Sequence, residues 1–170
     1  MTTKIWTKDE VASWFGGQIP DDWFVEPPEV RLDREEILVT GSLSVPQDGD
    51  AVAEASRIGA FREETREARI RIAERAESTW GRKVSWAAMC GGTEEAFTTA
   101  AVPVMTRLRM DERAVLDTLI GAGVARSRSD ALGWCVRMVA RHEEEWIGKL
   151  REAISDVEAI RNEGPAADRS

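Results

Sequence analysis

The sequence predicts an α+β protein in two parts: a small N-terminal unit ordered α-β-β-α-β-β, and a C-terminal strand followed by two helices, the last of them extended. Three observations carry that expectation. Runs rich in β-branched residues, Glu35 to Val45 and Lys83 to Cys90, flank a stretch from Ala51 to Trp80 whose apolar residues step by three and four. Pro103 separates the second strand pair from the C-terminal third of the chain, because a residue without a backbone N–H is unsuited to a central ladder. From Leu132 to Ile160 the apolar spacing alternates between four and three.

Taken in order, Thr7 and Glu10 have the spacing of a capping box, in which each side chain satisfies a backbone donor at a helix start. Val11, Trp14 and Phe15 come next, and Gly16-Gly17 ends a short helix. Gln18 to Pro28 is a proline-punctuated loop whose Trp23 and Phe24 are expected to plug the core rather than stack on a ligand. Glu29 to Leu32 and Glu35 to Val45 predict two strands joined around Asp33-Arg34, closed by the loop Pro46 to Asp50.

From Ala51 to Trp80, Ile58, Phe61, Thr65, Ala68 and Ile72 form a narrow apolar stripe. Glutamates interleave with the arginines around it, so the rest of the surface reads as a solvated, ion-paired face. Gly81 supplies the stop. Lys83 to Cys90 and Ala96 to Val102 then read as a hairpin, with a loop extending from Gly91-Gly92 toward Glu95.

Beyond Pro103, Val104 to Asp111 would place Val104, Thr106 and Leu108 on one face of a strand and Met105, Arg107 and Arg109 on the other. Asp111 is expected to cap a helix ending at Gly121 to Gly123, and Ser129 to cap a second that begins Asp130-Ala-Leu. One strand with two helices leaves both of its ladders unpaired and calls for a second copy. The last helix either runs unbroken to Asn162 or breaks between His142 and Gly148. Its seam, Leu132, Val136, Val139, Glu143, Trp146, Leu150, Ala153, Val157 and Ile160, requires either a partner or the chain's own α+β unit as cover. The expected organisation is thus residues 1–102, 103–142, a helical extension over 143–163, and a tail over 164–170.

Composition narrows the function. Two distant cysteines, Cys90 and Cys135, and the single histidine, His142, leave little for a metal site or thiol catalysis, so no metal and no cofactor is expected. No spacing of carboxylates suggests an acid–base pair and no glycine loop has a phosphate-cradling pattern, so the chain is expected not to be an enzyme. The N-terminal stretch lacks a basic start with an apolar core, and the chain has no long apolar run, which predicts a cytoplasmic protein without membrane contact. The formal charge of −8 argues against indiscriminate nucleic-acid binding. Residues 103–141 differ in sign, with seven basic against four acidic side chains.

Val104-Met-Thr-Arg-Leu, a helix with Leu116 and Leu119, and Gly123-Val-Ala-Arg-Ser-Arg-Ser-Asp-Ala-Leu132 together resemble the ribbon-helix-helix domain of bacterial and archaeal repressors and antitoxins, over residues 104–142. The resemblance implies a homodimer whose paired strands enter the DNA major groove. It places Met105, Arg107 and Arg109 toward the bases, and Arg126, Ser127, Arg128 and Ser129 toward phosphates. Val104, Leu108, Leu116, Leu119, Leu132, Val136 and Val139 would form the shared core. Thr106 departs from the pattern's larger β-branched residue, and Met105 can read little beyond a thymine methyl.

Independently of that likeness, a helix start offers unpaired N–H groups and partial positive charge to a phosphate, and Arg126 and Arg128 add attraction. The Ser-Arg-Ser step also fits a plain N-cap. The expected function is a homodimeric DNA-binding transcriptional regulator with double-stranded DNA and a second copy as partners. The alternative is an antitoxin-like dimer that binds another protein through its C-terminal helix or N-terminal unit, with DNA contact secondary or lost.

Overall fold

A computed structural model describes residues 6–47 and 49–163. The tail expected over 164–170 and the first five residues of the N-terminal stretch lie outside the described residues. The chain divides into two compact units, Met1–Val104 and Met105–Ser170.

The first unit is α+β with a four-stranded sheet. Its elements are α1 (Lys8–Gly16), β1 (Glu29–Leu32), β2 (Glu36–Leu43), α2 (Ala51–Glu64), α3 (Arg66–Trp80), β3 (Lys83–Cys90) and β4 (Thr93–Ala96). Helix α1 opens on the expected capping box: Thr7 Oγ1 accepts from the Glu10 amide at 3.2 Å and Glu10 Oε2 accepts from the Thr7 amide at 3.1 Å. Asp33 closes the β1–β2 turn by accepting from the amides of Glu35 and Glu36, each at 2.8 Å.

The strand order is β1-β2-β3-β4, and the central pair β2–β3 is parallel while both outer pairs are antiparallel. Two hairpins are therefore joined side by side through a helical crossover, as a parallel pair requires. In that pairing Ile37 meets Val84, Val39 meets Trp86, and Leu43 meets Cys90, so one sheet face presents a continuous apolar row. This row joins Val11 and Phe15 of α1, Ile58 and Phe61 of α2, and Ile72 and Ala76 of α3 in one core. Trp23 and Phe24 pack against that core as expected, and a β-carbon at Gly41 would lie 2.1 Å from the Phe24 ring. The loop's aromatic plug thus requires a glycine beneath it.

Three expectations for this unit need correction. The helix from Ala51 to Trp80 is two helices, parted at Thr65, whose hydroxyl donates to the Phe61 carbonyl at 2.6 Å while its backbone departs to φ −97° and ψ 0°. The first buried side chain beyond that break is Arg69, and Ala68 is only partly covered. The fourth strand is Thr93–Ala96, not Ala96 to Val102, because Gly91, at φ 56°, lets the chain turn immediately after Cys90. Phe97, beyond it, turns inward to the core.

The second unit contains α4 (Met110–Gly121), α5 (Arg128–His142) and α6 (Glu144–Glu163). No strand occupies residues 104–109 in the single chain. The backbone from Ala101 to Arg107 makes no hydrogen bond among the described residues. Helix α4 starts earlier than the sequence suggested, with Arg109 rather than Asp111 as the N-cap, and Glu112 Oε2 accepts from the Arg109 amide at 2.6 Å. The long C-terminal helix breaks at one residue, Glu143, with φ −115° and ψ 29°.

Candidate nucleic-acid interface

Gly123, at φ 75°, ends α4, and the Val124 and Ala125 amides donate back to the Leu119 carbonyl. Ala125 and Ala131 are then buried with Leu116, while Leu108, Leu119, Ile120, Leu132 and Cys135 pack around them. This small cluster fixes the start of α5 against α4.

The cap of α5 is Ser127, not Ser129: its side chain accepts from the Asp130 amide at 3.2 Å, and Asp130 Oδ2 accepts from the Arg126 amide at 3.0 Å. Ser127 and Asp130 have the three-residue spacing of a capping box, so the true start was present in the sequence. Ser129 falls in the first turn, exposed. Arg128, the first helical residue, donates from Nε to Asp117 Oδ1 and from Nη2 to Asp117 Oδ2, each at 2.8 Å. The Arg128 guanidinium holds the Asp117 carboxyl below its ordinary value, and the carboxylate in turn raises the Arg128 pKa.

Of the residues assigned to base contact, Met105 is 97% exposed, and Arg107 and Arg109 are exposed as well. Arg126, Ser127, Arg128 and Ser129 are all exposed around the α5 start. The residues assigned to a shared core separate into two groups. Leu116 is buried and Leu108, Leu119 and Leu132 are partly buried, whereas Val104 (84%), Val136 (62%) and Val139 (49%) face outward. Along α6, Trp146, Leu150, Ile154, Val157 and Ile160 continue that exposed apolar surface. Ile154, like Ile147, lies outside the expected four-three series. Among the described residues, no helix is long and apolar enough to cross a membrane.

Residues 9–96 match the family described as Rv1265-like protein, N-terminal domain, and residues 109–161 match the Mb1296 C-terminal domain. Over 157 residues the chain is 52% identical to uncharacterized protein Mb1296 of Mycobacterium bovis and to uncharacterized protein Rv1265 of Mycobacterium tuberculosis. Each alignment covers 91% of this chain and 70% of the relative. No solved structure matches. The two domains occur in the same order as the two compact units, and the chain belongs to the family of Rv1265-like proteins.

Proposed function

We propose that this protein is a homodimeric DNA-binding regulator whose second unit is a ribbon-helix-helix domain. The observation that carries the reading is the stretch before α4: a segment without backbone hydrogen bonds from Ala101 to Arg107, exposed from Val104 to Arg107, in which Val104, Thr106 and Leu108 alternate with Met105, Arg107 and Arg109. In two copies those segments pair antiparallel, satisfy each other's backbone groups, and present Arg107 to base edges. The capped start of α5 meets a phosphate through its N–H groups, with Arg126 beside it.

The same pairing accounts for the outward-facing Val136 and Val139, which three small buried residues, Leu116, Ala125 and Ala131, cannot cover within one chain. A protein partner in place of DNA is the second reading. It is favoured by the apolar surface of α6 from Trp146 to Ile160, which extends beyond what groove contact needs. Sedimentation of the protein with and without a duplex from its own upstream region separates the two: a dimer that co-sediments with DNA supports the regulator, and a dimer that ignores DNA supports the protein-binding role.

A further inference from the structure

We propose a binding site for a small organic carboxylate in the first unit, with Arg69 as its recognition group and Trp86 in its wall. A cavity of about 240 Å³ is lined by Arg69, Ala73, Glu74, Val84, Trp86 and Thr98, among others. Arg69 is 7% exposed, and its guanidinium forms no ion pair among the described residues. Nε donates to Thr65 Oγ1 at 3.0 Å and Nη2 to the Arg62 carbonyl at 2.6 Å, while one face lies 4.6 Å over the Phe97 ring. Those partners orient the cation without neutralising it, and Nη1 keeps its donors unmatched.

Trp86, 3% exposed, also lines the cavity, and its buried Nε1 has no hydrogen-bond partner. A buried cation is ordinarily paired, so the unpaired Arg69 guanidinium at this cavity calls for an acceptor. The guanidinium both donates and carries charge, which specifies an anion.

The remaining walls define which anion. Ala73, Val84 and the indole face are apolar and suit a ring or short hydrocarbon body. Glu77 also lines the cavity, but its carboxylate accepts from Lys83 Nζ at 2.8 Å and from the Val84 amide at 3.2 Å, so its charge is answered. Glu74 adds an exposed carboxylate at the wall, which disfavours a dianion such as phosphate and leaves a monocarboxylate. The volume lies below the roughly 300–1,000 Å³ of drug-sized sites, so a single ring fills it. The site involves only the first unit and is independent of DNA contact.

The test is the indole N–H spectrum of the 15N-labelled full chain, in which seven tryptophans give separable signals and Trp86→Phe identifies the one of interest. The probes are benzoate, acetate and phenylacetate, with benzamide and inorganic phosphate as controls, each raised to about 20 mM to reach millimolar sites. The expected result is a saturable shift of the Trp86 signal with benzoate or phenylacetate, and none with benzamide or phosphate. Ala73→Leu, which fills the cavity and leaves Arg69 in place, weakens the response roughly tenfold or more, and Arg69→Met removes it. An unmoved Trp86 signal with all three carboxylates, an equal response to benzamide, or binding that survives Ala73→Leu overturns the proposal. Because Ala73→Leu keeps the buried cation, misfolding of Arg69→Met does not blunt the test.

Discussion

Arg128 and Asp117 join the start of α5 to the side of α4 through two parallel hydrogen bonds of 2.8 Å, in the fork geometry peculiar to guanidinium and carboxylate. The pair is solvent-exposed, so its contribution to stability is small, but it engages one of the cations assigned to a phosphate. In the DNA-binding account Asp117 competes with the backbone for Arg128. Asp117→Asn is therefore expected to raise DNA affinity roughly eightfold at 0.1 M salt, the worth of about one added phosphate contact, in fluorescence anisotropy. An unchanged affinity would remove Arg128 from the interface.

Acidification acts on the same pair and on two carboxylates of the first unit. Asp33, held low by the amides of Glu35 and Glu36, Glu77, held low by Lys83, and Asp117, held low by Arg128, all have folded pKa values below their ordinary ones. Groups of that kind contribute stability that is present above the unfolded pKa and lost as pH falls through the folded one. Thermal melting is thus expected to be flat with respect to these three groups from pH 7 to about pH 5 and to fall below about pH 4. Asp33→Ala, which removes both turn acceptors, should cost about 0.5–1.5 kcal/mol at pH 7 and reduce the acid dependence.

Gly91 and Glu54 make a second testable contact. Glu54 is buried, accepts from the Gly92 amide at 3.2 Å and the Thr93 hydroxyl at 2.7 Å, and would lie 2.0 Å from a β-carbon at Gly91. Gly91→Ala combines a left-handed backbone cost of about 1–2 kcal/mol with displacement of that carboxylate, for a loss of about 2–4 kcal/mol in urea denaturation. Gly81→Ala, also at positive φ but facing open space, should cost only about 1 kcal/mol. In a Glu54→Ala background the excess at Gly91 should disappear.

The exposed seam predicts an assembly effect. Val139→Lys and Leu150→Lys place charge on an outward apolar surface, so each single chain should keep its helical circular dichroism. Under a dimer account, sedimentation should shift from dimer to monomer with Val139→Lys. If only Leu150→Lys does so, the contact lies on α6 and the segment before α4 is not its centre.

Much of this fold was legible because short-range chemistry wrote it plainly. The Thr7–Glu10 capping box, the Asp33 turn and the glycine stop at Gly81 each depend on a few adjacent residues. The parallel pairing of β2 with β3 was not legible, since nothing in either strand distinguishes a neighbour joined by a crossover from one joined by a hairpin. Thr65 fits the apolar stripe of one continuous helix, and its side-chain bond to Phe61, which parts α2 from α3, leaves no periodic signature. Strand β4 is polar, Thr-Glu-Glu-Ala, while the alanine- and threonine-rich run after it attracted the assignment by propensity alone.

At the candidate sites, the Ser127–Asp130 spacing was readable and passed over in favour of the nearer Ser129. Arg69 was not readable: a charged residue is invisible to an apolar pattern, and its burial arises from Phe97, far along the chain.

DNA reading is proposed for paired copies of residues 104–109. Its most direct test is fluorescence anisotropy of the full chain on its own upstream duplex and on sheared genomic DNA across a salt series, beside Arg107→Ala. Binding by a dimer that weakens steeply with salt is expected, with an Arg107→Ala variant that still binds but no longer prefers the upstream duplex, a loss of about 1–3 kcal/mol in discrimination. A wild-type dimer that binds neither DNA even at about 20 mM salt, where backbone contacts are strongest, would contradict it.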